Sequence, residues 1–180
     1  SNHANNVYRN TVAIATDNKN EQMDYKLETP TAVVWENTPR ADPEPINEMK
    51  LNTEFNFVTI SQISPRKNFE NSIKWFVEEF KDDKSVGLIV KTNRGREHAM
   101  DKMHTKRMLS QILSELGSPA FPKVYLLHGD MSRSEMNSLY KHKNTKALLS
   151  LTRGEGFGLP LLEAAVAGLP VIATNWSAHT

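Results

Sequence analysis

The chain has 180 residues, enough for one domain with a well-buried core, and its charge is close to balance, with 22 basic and 21 acidic residues and a net +1. That balance argues against a general nucleic-acid binder, which would show a clustered basic excess. Cysteine is absent, which excludes disulfides and thiolate metal sites and fits a cytoplasmic protein. No apolar run approaches the length of a membrane span, and no signal peptide is visible.

In chain order, residues 3–15 (HANNVYRNTVAIA) read as a short helix running into a strand. Asp17 to Thr29 is charged and Asn-rich and reads as loop, whereas Thr31 to Trp35 has the β-branched, apolar character of a strand. Thr38 to Asn52, with Pro39, Pro43 and Pro45 among charges, is a connecting segment without regular structure. Phe55 to Ser61 reads as a buried strand and Gln62 to Asn68 as the turn after it. Phe69, Ile73, Phe76, Val77 and Phe80 then share one helical face, with Asn68 as a reasonable N-cap. Val86 to Val90 is the next strand. His98 to Leu116 is a helix with Leu109, Ile112, Leu113 and Leu116 as its apolar stripe, closed by Gly117. Lys123 to Leu127 is a strand. Ser132 and Glu135 make a capping-box pattern that opens a helix through Tyr140, and Lys146 to Leu151 is a further strand.

Strands alternating with helices from Phe55 onward imply an α/β, Rossmann-like parallel sheet with helices on both faces. Residues 1–54 then form an N-terminal segment and linker packing on a domain of residues 55–180. Ligands bind such sheets at the carboxyl ends of the strands. Three loops leave those ends with polar groups to offer: Arg66 and Lys67; His128, Gly129, Asp130 and Met131; and Arg153 to Gly158. Topology places them in one cleft.

The densest stretch is Arg153 to Asn175, RGEGFGLPLLEAAVAGLPVIATN. Gly154, Gly156 and Gly158 alternate with Glu155 and Phe157, which lets a ligand approach the backbone N–H groups. Pro160 suits a first helical turn, Gly168 and Pro170 end the helix, and Val171 to Thr174 follows as a strand. The helix N-terminus is a natural phosphate site. Glu163, about one turn in, reaches the same mouth as Glu155. Two carboxylates beside a phosphate make sense if they hydrogen-bond neutral hydroxyls, such as those of a ribose and a sugar. An ordinary strand-to-helix loop with a dipole-complementing Glu fits the same spacing. Lys67 and Arg66, taken alone, fit a solvated basic turn as well as a diphosphate site.

The segment EGFGLPLLEAAVAGLPVIATNWSAH strongly resembles the signature of the family-4 (group 1) retaining glycosyltransferases of GT-B fold, whose two glutamates match Glu155 and Glu163. The resemblance extends back to about Phe55, and more weakly to the N-terminus. It implies one half of a GT-B fold, the C-terminal donor-binding domain, which transfers a sugar from a nucleoside diphosphate donor to an acceptor hydroxyl with retention. It implies that Glu155 bonds donor sugar hydroxyls near the reacting carbon and Glu163 the ribose diol. Backbone N–H groups of Phe157, Gly158 and Leu159 would hold sugar hydroxyls and phosphate oxygens. Gly129 and Met131 match a loop that lies against the base. Lys67 matches a family lysine on the diphosphate. The arginine usual five residues before it is Gln62 here, so Arg66 is the candidate to replace its charge.

No cofactor or metal is expected: the six histidines lack metal spacing, and Lys67 with the helix end can take that electrostatic role. The expected partners are a UDP-, GDP- or ADP-sugar and, through an N-terminal domain not in this sequence, a glycan or lipid-linked acceptor of polysaccharide biosynthesis. Peripheral contact with the inner membrane surface is compatible with this reading. The chain is expected to begin at a domain boundary, or at a vector-derived Ser1-Asn2, to stop before the family domain's last helices, and to turn over little alone. A nucleotide-sugar epimerase of GT-B fold and a non-catalytic nucleotide-binding module are the alternatives.

Overall fold

The computed structural model describes residues 2–33, 42, 46, 49–95 and 97–179. The helix-to-strand start is present as α1 (Asn2–Asn10) and β1 (Val12–Thr16). The segment expected as loop contains a strand, β2 (Gln22–Lys26), antiparallel to β1 with Val12 opposite Lys26 and Thr16 opposite Gln22. The polarity that reads as loop is a consequence of exposure, since every residue of both strands is solvent-accessible. The turn is an Asx turn: Asp17 Oδ1 accepts from the Lys19 and Glu21 N–H groups at 2.8 and 2.9 Å. Residues 31–33 of the expected Thr31–Trp35 strand have no regular structure, and its remainder, like much of the Thr38–Asn52 connection, lies outside the described residues.

The main sheet comprises β3 (Phe55–Ile60), β4 (Val86–Thr92), β5 (Lys123–His128), β6 (Thr145–Ser150) and β7 (Val171–Ala173) in the order β5-β4-β3-β6-β7. All pairs are parallel. The intervening helices are α2 (Phe69–Glu79), α3 (Ala99–Glu115), α4 (Arg133–Lys141) and α5 (Leu159–Val166). Side-chain alternation along β4 shows the layering. Val86, Leu88 and Val90 meet Ile73, Phe76, Val77, Leu109 and Ile112 of α2 and α3. Ile89 points the other way, toward Leu139 of α4 and Ala164 of α5. A strand buried on both faces needs an unbroken apolar run, which β4 provides.

The stripe on α3 differs from its expectation. Asp101, Thr105, Leu109 and Ile112 are the buried positions, while Leu113 and Leu116 pack only partly. The apolar pattern holds for the second half of the helix. The first half runs past the end of β5, where polar groups face each other. The capping box at α4 is complete: Ser132 Oγ accepts from the Glu135 N–H at 3.1 Å, and Glu135 Oε2 from the Ser132 N–H at 2.7 Å. Replacing Ser132 with alanine should lower stability by about 1 kcal/mol, read as a shifted urea midpoint at unchanged slope.

Candidate active site

The site is built where the loop after β3 meets the loop after β6. Asn68 is the residue that joins them. It precedes α2, as expected of an N-cap, but its side chain does not cap. It adopts a left-handed conformation (φ 52°) that asparagine tolerates, and its Nδ2 donates to the Leu151 carbonyl at 3.1 Å. The loops are bonded further through backbone. The Arg153 N–H and the Thr152 hydroxyl both reach the Arg66 carbonyl, at 2.9 and 3.0 Å, and the Arg66 guanidinium donates to the Gly154 carbonyl. A third segment, after β7, supports the glycine-rich loop from behind. Ser177 Oγ accepts from the Glu155 N–H at 3.1 Å and donates to the Glu155 carbonyl at 2.8 Å. Thr174 Oγ1 donates to the Thr152 carbonyl at 3.0 Å, with His179 Nδ1 3.0 Å from the same hydroxyl.

This framework brings Glu155, Lys67 and Arg66 together. The Lys67 ammonium bonds Glu155 Oε1, and Arg66 Nη1 lies 3.5 Å from Glu155 Oε2. The Lys67 and Glu155 side chains are 13% and 11% exposed, so their attraction is poorly screened, whereas Arg66 at 56% is largely in solvent. Lys67, expected on a diphosphate, is thus engaged by Glu155. An ammonium has three N–H groups, so this leaves two for an incoming oxygen. Gln62 is exposed, and Arg66 from the same turn supplies a cation to the loop.

Gly158 caps α5 in the left-handed region (φ 79°), with Pro160 in the first turn. The N–H groups of Phe157, Gly158 and Leu159 have no acceptor among the described residues. Together with the helix dipole they are donors of the kind that bind anions at helix starts. Glu163 sits on α5, where its Oε2 accepts from the Tyr140 hydroxyl at 3.0 Å, leaving Oε1 for another donor. Burial first, and the Glu163 charge second, push the Tyr140 phenol well above its usual range, so it stays a donor.

Gly129 and Met131 lie in the loop after β5. Beside them a cavity of about 400 Å³ is lined by Glu97, Lys102, His128, Asp130, Met131 and Glu135. Gly129 has φ 103°, and its N–H reaches the Thr92 carbonyl at 3.3 Å. Among the described residues no group of three or more His, Asp or Glu is placed to hold a metal ion. Sequence reasoning missed Asn68's bridging bond, Thr152, Ser177, Thr174, Tyr140 and Glu97. Ser177 and His179 lie inside the resembling segment, so their presence was legible there but their job was not.

The pair of Lys67 and Glu155 thus lies at the carboxyl ends of the strands of a parallel α/β sheet, beside a helix N-terminus, which is where sheets of this class bind ligands. The family model for glycosyl transferases group 1 matches residues 43–179, and the chain belongs to that family. A serotype-specific mannosyltransferase, WbdA, of Escherichia coli is 29% identical over 116 residues, which is 64% of this chain and 13% of that protein. The chain therefore spans a small part of the curated relatives it matches. Among solved structures, HepE of Anabaena in complex with UDP-glucose superposes with a TM-score of 0.51 at 19% identity, over 71% of this chain and 31% of that one. The N-terminal domain of trehalose-6-phosphate phosphatase from Candida albicans gives 0.52 at 15%, over 71% and 29%. These likenesses are of fold: the sheet is one half of a GT-B architecture.

Proposed function

We propose that this chain is the donor-binding, C-terminal half of a retaining glycosyltransferase. It would bind a nucleoside diphosphate sugar for transfer to a hydroxyl of a glycan or lipid-linked acceptor. The observation that carries the reading is the convergence of Lys67, Arg66 and Glu155 beside the N–H groups of Phe157, Gly158 and Leu159, which have no acceptor among the described residues. The mannosyltransferase relative and the UDP-glucose complex of HepE support a sugar nucleotide as the ligand.

In this reading the α5 N-terminus and two Lys67 N–H groups hold the diphosphate, and Glu155 accepts from the donor sugar hydroxyls. Glu163 Oε1 accepts from the ribose diol while Tyr140 fixes the carboxylate through Oε2. In the reaction the bond from the anomeric carbon to phosphate oxygen breaks, and a bond to the acceptor oxygen forms on the same face. The leaving phosphate takes the acceptor proton, and Lys67 with the helix end stabilises its charge without a metal. No residue of this chain serves as general base. A second domain supplies the acceptor, so the chain alone binds donor weakly and turns over little.

Calorimetric titration with UDP-, GDP- and ADP-sugars tests this. One nucleotide series is expected to bind, and Glu163→Ala to weaken it about tenfold or more. Absence of binding to every series at millimolar concentration, or binding indifferent to Glu163, overturns the reading.

A further inference from the structure

We infer that the cavity beside β5 receives the nucleotide base and that Glu97 makes it select guanine. The inference rests on the donor-site reading above and adds which donor the site takes.

The position of the cavity comes first. The anion donors sit at the end of β6, and the cavity opens at the ends of β4 and β5. In the order β5-β4-β3-β6 that separation is three strand spacings, roughly 14 Å at ~4.8 Å each. This is the scale of a nucleoside diphosphate laid across the sheet edge, with the ribose between its ends. The lining is mixed in the way a base needs, with Met131 for the ring face and carboxylates for its edge. His128, whose side chain is 3% exposed, also lines the cavity, and its Nε2 has no hydrogen-bond partner among the described residues. Asp101 Oδ2 lies 3.6 Å from it.

The carboxylates differ in what they have left to offer. Glu135 Oε2 is occupied by the Ser132 N–H in the capping box. Asp130 Oδ1 accepts from Asn93 Nδ2 at 3.0 Å. Glu97 has no hydrogen-bond donor among the described residues, and its charge acts on Lys91, opposing the lowering of that lysine's pKa by burial. Its carboxyl lies across Gly129. A Cβ there would stand 2.7 Å from Glu97 Oε1 and 3.2 Å from Cδ, so the carboxylate as placed occupies the space that the missing side chain of Gly129 leaves. The result is a carboxylate on the wall of the cavity with no donor to either oxygen among the described residues.

Two parallel acceptors match two parallel donors. Guanine presents them, N1–H and the 2-amino group, side by side on one edge. Adenine offers one amino group beside an acceptor nitrogen, and uracil one N–H flanked by two carbonyl oxygens that the carboxylate repels. A site built for two donors rejects a ligand lacking one of them, because a charged acceptor is left unpaired.

The test uses the 180-residue chain with GDP, IDP, UDP and ADP in calorimetric titrations. IDP differs from GDP only in lacking the 2-amino group. GDP is expected to bind about tenfold or more tighter than IDP, and tighter still than UDP and ADP. Glu97→Gln should remove the gap between GDP and IDP and leave UDP unchanged or improved, since an amide can both donate and accept on the uracil edge. Glu97 is exposed, so the variant should keep the parent's thermal unfolding midpoint. Equal affinity for GDP and IDP, or a Glu97→Gln loss shared equally by all four nucleotides, overturns the base assignment. If nucleotides bind in a Glu163-dependent way without guanine preference, this inference falls and the donor reading stands. If none binds, both fall.

Discussion

Asn56→Leu is expected to lower the unfolding free energy by about 3 kcal/mol, a large effect for a near-isosteric change. Asn56 is fully buried on the central strand β3. Its Oδ1 accepts from Thr53 Oγ1 at 2.5 Å, and its Nδ2 donates to the Thr53 and Asn144 carbonyls at 2.9 and 3.0 Å. Three hydrogen bonds at about 1 kcal/mol each give the figure. Asn144 Nδ2 bonds the Thr53 carbonyl independently, and Tyr125 Oη lies 3.0 Å from Thr53 Oγ1, so no partner is wholly orphaned. This limits the loss to the bonds themselves. The neighbourhood has no slack. A Cβ at Gly87 would fall against Asn56, 2.7 Å from Thr53 Oγ1 and 2.8 Å from Tyr125 Cε2. Urea unfolding reads the change, and a loss under about 1 kcal/mol would show that the network adds little beyond packing.

Lys67→Ala should raise the donor dissociation constant about ten- to a hundredfold, the largest effect expected on binding. Two losses coincide. The phosphate loses a cation, and Glu155, 11% exposed, keeps Arg66 at 3.5 Å as its one cation among the described residues. A carboxylate without its ammonium then repels the same phosphate. Pairing the change with Glu155→Gln separates the terms: the double variant should recover part of the affinity for the nucleoside diphosphate and none for the sugar. Lys67→Arg should bind better than Lys67→Ala, because charge is kept while the compact ammonium geometry is lost. Calorimetry with a nucleoside diphosphate and its sugar conjugate distinguishes the cases. An unchanged constant for Lys67→Ala would remove this lysine from the donor site.

The motif residues were legible because their signals are local. Glu155, Gly158, Pro160 and Glu163 lie within nine positions, and although their spacing alone also fits an ordinary strand-to-helix loop, the long resembling segment around them singles the stretch out. The five parallel strands were legible for the same reason, each being a short apolar run between turn signals. The β1–β2 hairpin was not, because strand residues exposed on both sides carry no burial pattern to read. Asp101 and Thr105 broke the α3 stripe, since periodicity reports apolar burial and is blind to a polar face turned toward His128.

The sequence by itself determined the sheet class, the glycine-then-proline start of α5 and the identity of the charged residues near it, all of them properties of neighbours along the chain. Only the tertiary structure decided which charges meet. Lys67 and Glu155 are 88 positions apart, as are Arg66 and Gly154, and Asn68 reaches Leu151 across 83. Tyr140 finds Glu163 across 23, and Glu97 finds the one glycine, Gly129, that leaves room for its carboxyl. Such pairings depend on strand order and on the space a missing Cβ leaves, and neither quantity has a signature in local spacing.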